Sequence, residues 1–343
     1  MTKPRVRNME EFSSFSGVSR PTVSKYFNDA DSVRASTRQK IEKALEQCDY
    51  RPNIFAINQN RKLTKNFGIV VPYLADPFFA EIARRIETLV IAAGLRPILL
   101  SSHGDPELEL GNLDALRLIK PAGVLLAPLG RASNRMALEA FCADVPTVNF
   151  DANIEGVGRA FVGHNNDQAT EIMIEYLLRS GEPPVFFEMR TPPNPNANKR
   201  RVAYIDTMER RGQNPQIVQA EGEGWKIEEI GYREGRRAIS KNLFSTNTVF
   251  CSNDRLAIGF LSAAYELGLR IGRGDDCALR VAGHDNHPFS RYTCPTLTTV
   301  SHDYSAIAQR SVETVLKLIE SETFPSQRET TLFDGELIMR ASA

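Results

Sequence analysis

The sequence predicts two fold classes in one chain: an all-α helix-turn-helix head, and an α/β core of two doubly wound parallel-sheet lobes. Three observations carry this reading. Residues 12–28 read as helix, tight turn, helix. From Phe67 onward, strands and helices alternate in two runs of similar layout, the pattern of parallel sheets covered on both faces. Charge divides the 343 residues at the same place: residues 1–65 hold thirteen Lys and Arg against seven Asp and Glu, about +6, and the remainder is about −6. A basic head on an acidic body suits a polyanion-binding module attached to something with another task.

In the head, Met9, Phe12 and Phe15 put an apolar stripe on a first helix, and Asn8 and Glu11 have the spacing of a capping box. Gly17 supplies the turn, which needs a residue tolerant of positive φ. Ser19 is placed to cap a second helix, with Pro21 in its first turn, where a missing N–H costs nothing. Val23 and Phe27, four apart, face inward. Arg20, Pro21, Thr22, Ser24 and Lys25 are left outside. A solvated helical hairpin would share this pattern. A DNA-binding helix-turn-helix exposes such short hydroxyl and basic groups because they reach phosphates and base edges in the major groove. Arg20 or Lys25 suits guanine O6/N7, Pro21 an apolar contact, and Thr22, Ser24 and Asn28 suit phosphates, which fix register without reading sequence. Residues 36–49 give a third helix, with Ile41, Ala44, Leu45 and Cys48 on one face. Pro52 ends that element, and Asn53 starts a short helix before a basic tether. The expected divisions are a head at 1–51, a hinge at 52–66 and a core at 67–343.

In the core the first run is strand 67–71, a helix marked by Phe79, Ile82, Ile86, Leu89, Val90 and Ala93, strand 97–100, helix 107–119, strand 123–127, helix 134–141 and strand 146–150. The second is strand 185–188, helix 197–211, strand 216–220, helix 227–240, strand 248–251, helix 255–267 and strand 279–283. A helix over 303–320 and strands near 328–333 close the chain. Doubly wound lobes bind ligands at the carboxyl ends of their strands. The expected lobes are 67–165 with about 288–303, and 166–287 with about 304–343.

Five scattered cysteines without a CxxC pair imply neither a disulfide framework nor a zinc site. No apolar leader or membrane-length window appears, so a cytoplasmic, nucleoid-associated protein is expected. The five histidines show no metal-ligand spacing, and no nucleophile–base–orienter set forms around His164 or His284. The chain reads as neither an enzyme nor a cofactor protein.

Gly17-Val18-Ser19-Arg20-Pro21-Thr22-Val23-Ser24, Thr37-Arg38, Tyr50-Arg51-Pro52-Asn53, Asp76-Pro77-Phe78-Phe79-Ala80-Glu81-Ile82, Arg201-Val202-Ala203, Phe250-Cys251-Ser252-Asn253-Asp254, Gly283-His284-Asp285-Asn286 and Pro295-Thr296-Leu297-Thr298-Thr299-Val300 occur in that order. Together they resemble the lactose-repressor (LacI) family of bacterial transcription regulators over essentially the whole chain. The resemblance implies a homodimer, with a tetramer as the alternative, on near-palindromic operator DNA. It also implies a hinge helix that orders on that DNA and a periplasmic-binding-protein-like core holding a small-molecule effector between its lobes. The DNA contacts it implies include Ser19 in the head and Asn53, Ala56 and Gln59 in the hinge. Three departures stand out. Ser13 and Ser16 replace the usual alanines, the hinge reads Ala56-Ile57-Asn58-Gln59 with Gln59 in place of a leucine wedge, and Trp225–Gly231 is one residue longer than the family pattern.

For the effector, Asp76 and Phe78 lie at a strand-to-helix turn, where Asp76 caps the helix or touches ligand. Asp151, Asn253 and Asp285 each follow a strand. Arg201 enters by family position, and Trp225 is either core or a stacking face for a sugar. Arg donates paired N–H groups and Asp accepts pairs, as vicinal hydroxyls require. Several carboxylates in one cleft disfavour a strongly anionic ligand. A neutral sugar or polyol is therefore expected, with a purine second and a solute-binding protein without regulatory role as the alternative.

Overall fold

A computed structural model describes residues 4, 6–28, 30–50, 64–321 and 327–343. The chain divides into two units, Met1–Thr64 and Lys65–Ala343.

The first unit contains α1 (Met9–Ser16), α2 (Arg20–Asn28), a 3₁₀ turn at Ala30–Ser32 and α3 (Ala35–Gln47). The Asn8 side chain accepts from the Glu10 and Glu11 N–H groups at 3.0 and 2.8 Å. Glu11 reaches back to accept from the Arg7 N–H at 2.8 Å, so the start of α1 is satisfied from both directions. Gly17 closes α1 at φ 65°. Phe12, Val18, Val23, Ile41, Ala44, Cys48 and Tyr50 form the core, with the Phe12 and Tyr50 rings stacked 4.5 Å apart. Phe15 departs from the expected stripe and is 42% exposed. Ser13, where the family places alanine, donates to the Val18 carbonyl at 2.7 Å and so ties α1 to the turn.

The second unit opens with a six-stranded sheet. Its strands are β1 (Asn66–Val71), β2 (Arg96–Ser101), β3 (Gly123–Leu126), β4 (Thr147–Phe150), β5 (Ala160–His164) and β11 (Glu329–Phe333), in the order β11-β5-β4-β3-β1-β2. All the pairings are parallel. The pleat sends Phe67, Ile69 and Val71 to one face, under α4 (Pro77–Ala92) and α11 (Tyr304–Glu320). Val70, Val124 and Leu126 go to the other, under α5 (Pro106–Leu118) and α6 (Arg135–Asp144). The second sheet holds β6 (Val185–Met189), β7 (Ile217–Ala220), β8 (Thr248–Cys251) and β9 (Arg280–Ala282), in the order β7-β6-β8-β9, also all parallel. Its helices are α7 (Asn166–Ser180), α8 (Asn196–Arg210), α9 (Ile227–Ser240) and α10 (Asp254–Glu266). β10 (Thr299–Ser301) and β12 (Glu336–Ile338) pair antiparallel beside it. The strand–helix reading names no element between Phe150 and Pro184, where the structure places β5 and α7.

The two C-terminal lobe assignments are exchanged relative to expectation. Helix α11 covers the first sheet through Ile307, Ala308, Val312, Val315 and Leu318, and β11 pairs with β5. Residues 304–333 therefore belong to the first lobe, not the second. Leu297 and Val300 sit in the cores of the second lobe, so 288–303 belongs there. Periodicity identifies an amphipathic element but not the sheet that its apolar face will cover. The chain thus passes between lobes near 165, 303 and 334. No helix among the described residues is long and apolar enough to cross a membrane.

Candidate functional site

On the head, Ser19, Arg20, Pro21 and Lys25 are exposed, and Thr22 and Ser24 are half-buried. The Ser19 and Thr22 hydroxyls share a hydrogen bond at 2.8 Å, and the Val23 N–H donates to the Ser19 carbonyl at 2.9 Å, opening α2. Burial of Val23 fixes the roll of this helix and turns residues 20, 21 and 25 to solvent. Asn28 ends α2, and its side chain lies outside what the structure describes. Asn53, Ala56 and Gln59 lie outside the described residues.

In the core, loops at the carboxyl ends of both sheets meet in a cleft. Six of the seven expected residues line it: Asp76, Phe78, Asp151, Trp225, Asn253 and Asp285. Asp76 takes the capping role and also makes a contact that the sequence did not predict. It caps α4, accepting from the Phe78 N–H at 3.0 Å, and across the lobes it accepts from Arg255 Nη1 at 2.9 Å. Burial raises the Asp76 carboxyl above its ordinary pKa, against the pull of Arg255. Arg255 also forks Glu228 at 2.6 and 2.7 Å and donates to the Trp225 carbonyl at 2.8 Å. The neighbourhood is fixed by backbone contact between α9 and α10. A Cβ on Gly259 would lie 2.1 Å from the Glu228 carbonyl oxygen, and one on Gly231 would lie 2.3 Å from that of Leu256. Only glycines let the two helix starts come so close, which sets Glu228 beside Arg255.

Asp285 is the second focus. Arg200 grips it through Nη2 at 2.6 Å and Nη1 at 3.2 Å, and is itself held by Asn166 at 3.0 Å and the Ser252 carbonyl at 2.9 Å. Burial raises the Asp285 carboxyl, but the Arg200 charge overrides it and holds the group well below the usual carboxylate range. Asp285 also has φ 106°, a strained backbone for a residue with a Cβ, and such strain concentrates at working sites. Tyr304 of α11 donates to its carbonyl. Asp151, at φ 59°, accepts from Asn196 at 2.9 Å and lies 3.2 Å from His164 Nε2.

Arg201 is the expected residue that the cleft does not include. It is partly exposed and stands 3.5 Å from Glu188. Successive helical residues point about 100° apart, so the inward arginine is its neighbour Arg200. Asn253 caps α10, accepting from the Leu256 N–H at 2.9 Å, besides lining the cleft. Trp225 is both core and lining: its ring stacks on Tyr73 at 5.1 Å, which covers one face. Sequence reasoning missed Arg200, Arg255, Tyr304 and the Asn194–Asn196 turn. Arg255 follows directly on the Asn253-Asp254 pair, which was its one available signal.

His284, Asp285 and His302 place their ligand atoms within 4.8 Å of one another. The Arg200 guanidinium already on that carboxylate opposes a second cation there. Burial lowers the His284 pKa to about 4 and that of His302 well below its ordinary value, so both rings are neutral. The cleft's free volume is about 50 Å³, room for a few waters and well below the roughly 300–1,000 Å³ of small-molecule sites.

Comparison with known proteins places both units. Residues 8–53 match bacterial regulatory proteins of the lacI family, and residues 174–343 match the periplasmic binding protein-like domain. The HTH-type transcriptional repressor PurR of Histophilus somni is 26% identical over 97% of this chain and 98% of that protein. The ribose operon repressor of Escherichia coli is 23% identical over 93% of this chain and 95% of that protein. A crystal structure of the lac repressor dimer bound to operator and an anti-inducer superposes with a TM-score of 0.80, at 24% identity over 99% of each chain.

Proposed function

The chain belongs to the LacI family of bacterial regulatory proteins, and from that premise we propose that a sugar or polyol held between the core lobes controls its grip on operator DNA. Repression through DNA binding is the family's activity. The further reading is a homodimer on a near-palindromic operator, acting in the cytoplasm without catalysis. The observation that carries the effector assignment is the pairing of two buried guanidiniums with two carboxylates in one interlobe cleft, Arg200 with Asp285 and Arg255 with Asp76. Each pair can trade its partner for adjacent hydroxyls, since both groups form hydrogen bonds two at a time. A ligand that touches both lobes favours one closure angle, and it moves the DNA-binding heads only by as much as it prefers that angle.

A purine is the second reading. It is favoured by the aromatic lining, Phe78 standing edge-on to Tyr304 at 5.2 Å and Trp225 beside it in the cleft, and by the similarity to PurR. A thermal-shift screen of the protein against sugars, polyols and purines separates the two, because a ligand of the folded state raises its melting temperature. A shift with sugars supports the first reading. A shift confined to purines replaces it with the second.

A further inference from the structure

The inner cleft has almost no room, but the space beside it does. A chamber of about 680 Å³ shares Trp225 with the cleft, and its size falls within the roughly 300–1,000 Å³ of small-molecule sites. Its wall is preset: Pro192, Pro193 and Pro195 hold one side, and a wall of fixed φ has little freedom left to lose when a ligand binds. Tyr73, stacked on Trp225, forms another part.

The chamber's charge is opposite in sign to that of the inner end. Asp76, Asp151, Asp254 and Asp285 outnumber Arg200 and Arg255 in the cleft, whereas Arg131, Arg190 and Lys226 line the chamber against one acid, Glu223. Arg190 leans on Glu221 at 2.9 Å and Lys226 stands 3.8 Å from Glu229. Arg131 makes no ion pair with another described residue. The carboxylates that argue for an uncharged ligand therefore act only on its inner part.

We propose that this chamber is a subsite for an anionic end of the effector, a phosphoryl group carried by a sugar or polyol whose hydroxyls reach the inner cleft. The proposal rests on the reading that the effector binds between the lobes. Arg131 and Arg190 offer planar forks that match phosphate oxygens in pairs, and Lys226 adds a point charge. Trp225 stands at the junction, where one ring edge can serve both parts of the ligand.

Trp225 is the only tryptophan in the sequence, so its fluorescence in the full-length protein reports on this junction with no signal from the head. The titration compares ribose, glucose and fructose with their monophosphates, and includes inorganic phosphate, all at matched ionic strength. The expected result is a saturable change for one of the sugar phosphates at a concentration tenfold or more below that of its parent sugar. The double variant Arg131→Gln/Lys226→Gln should bring the two curves together, and thermal melting should show it folded. Equal curves for sugars and phosphates in the wild-type protein overturn the chamber and leave the cleft reading standing. A change with inorganic phosphate that the double variant abolishes supports the chamber even if every sugar is silent, in which case the sugar reading alone fails. Silence toward every phosphate-bearing probe overturns the proposal.

Discussion

The proposed recognition face of the head and the proposed effector cleft of the core are both polar surfaces, but they are assembled differently. The first is local. Arg20, Pro21, Thr22, Ser24 and Lys25 lie within one helix, and the inward Val23 among them decides which way each neighbour points. The second is composed from positions 76 to 304 on both lobes, and only the tertiary fold brings them together. A local surface is therefore legible residue by residue, whereas an assembled one is legible as a neighbourhood, in which a slip of one position exchanges Arg200 for Arg201.

The largest expected effect tests the local side. Phe12 is fully buried and Phe15 is 42% exposed, so Phe12→Ala should destabilise the head by about 3–5 kcal/mol and Phe15→Ala by less than ~1 kcal/mol. Thermal or urea melts of the two variants check this, and similar losses would restore the three-residue stripe. The matching test on the assembled side is Arg200→Gln, which strands Asp285 without its counter-charge. About 3 kcal/mol of core stability should go, the low end for breaking a buried pair because the Asp285 side chain is 26% exposed. Arg201→Gln should cost less, about 1 kcal/mol, because Arg201 is 41% exposed and 3.5 Å from its buried partner Glu188. Equal costs from denaturant titrations would mean that the helix faces the other way.

Acid separates the two regions further, because the head (residues 1–64) contains no histidine. The His284 pKa is lowered to about 4 in the fold, against 6.5 for the free group. The unfolded chain therefore takes up that proton first as the pH drops. The stabilisation is complete above pH 6.5 and is lost on the way to pH 4, a total of about 3 kcal/mol. His302 acts in the same direction. Asp254, raised by burial to about 7, opposes them, since its native carboxyl holds a proton that the unfolded state releases above about pH 4. In denaturant titrations between pH 6.5 and 4 the wild-type core should therefore gain less stability, or lose more, than a core without the two histidines. The double variant His284→Gln/His302→Gln is that core, and it should gain stability through Asp254. A wild-type core and a variant that respond alike over this range would contradict the burial of these rings as neutral groups.

A smaller effect than the loss of Phe12 or Arg200 returns to the head. Arg20→Ala should weaken operator binding by about 1–3 kcal/mol and relax preference at one base pair per half-site, as measured by binding to operator variants. A loss that is uniform across all sequences would make Arg20 a phosphate contact instead.

Most of the fold was legible because its elements announce themselves locally. The capping pair Asn8 and Glu11, the turn at Gly17 and the alternating runs from Phe67 each depend on residues a few positions apart. Two things were not legible. Amphipathicity marks α11 and β11 as elements, but the first sheet claims them through packing that no local pattern encodes, so the lobe boundaries were exchanged. The cross-lobe bridge from Arg255 to Asp76 spans 179 positions and depends on the glycine contact between α9 and α10, which is a property of two helices rather than of one. Asp76, Asp151 and Asp285 line the cleft, and their place in it was legible because each lies in the loop after a strand, where this architecture gathers side chains.

The most direct test of the account is operator affinity of the full-length protein as a function of effector, measured for the wild type, Arg200→Gln and Arg201→Gln, with the compound that gives the largest thermal shift. The account predicts that effector changes the affinity of the wild type and of Arg201→Gln alike, and leaves Arg200→Gln at its effector-free value. An Arg200→Gln protein that folds and keeps the full wild-type response would place the controlling site outside this cleft.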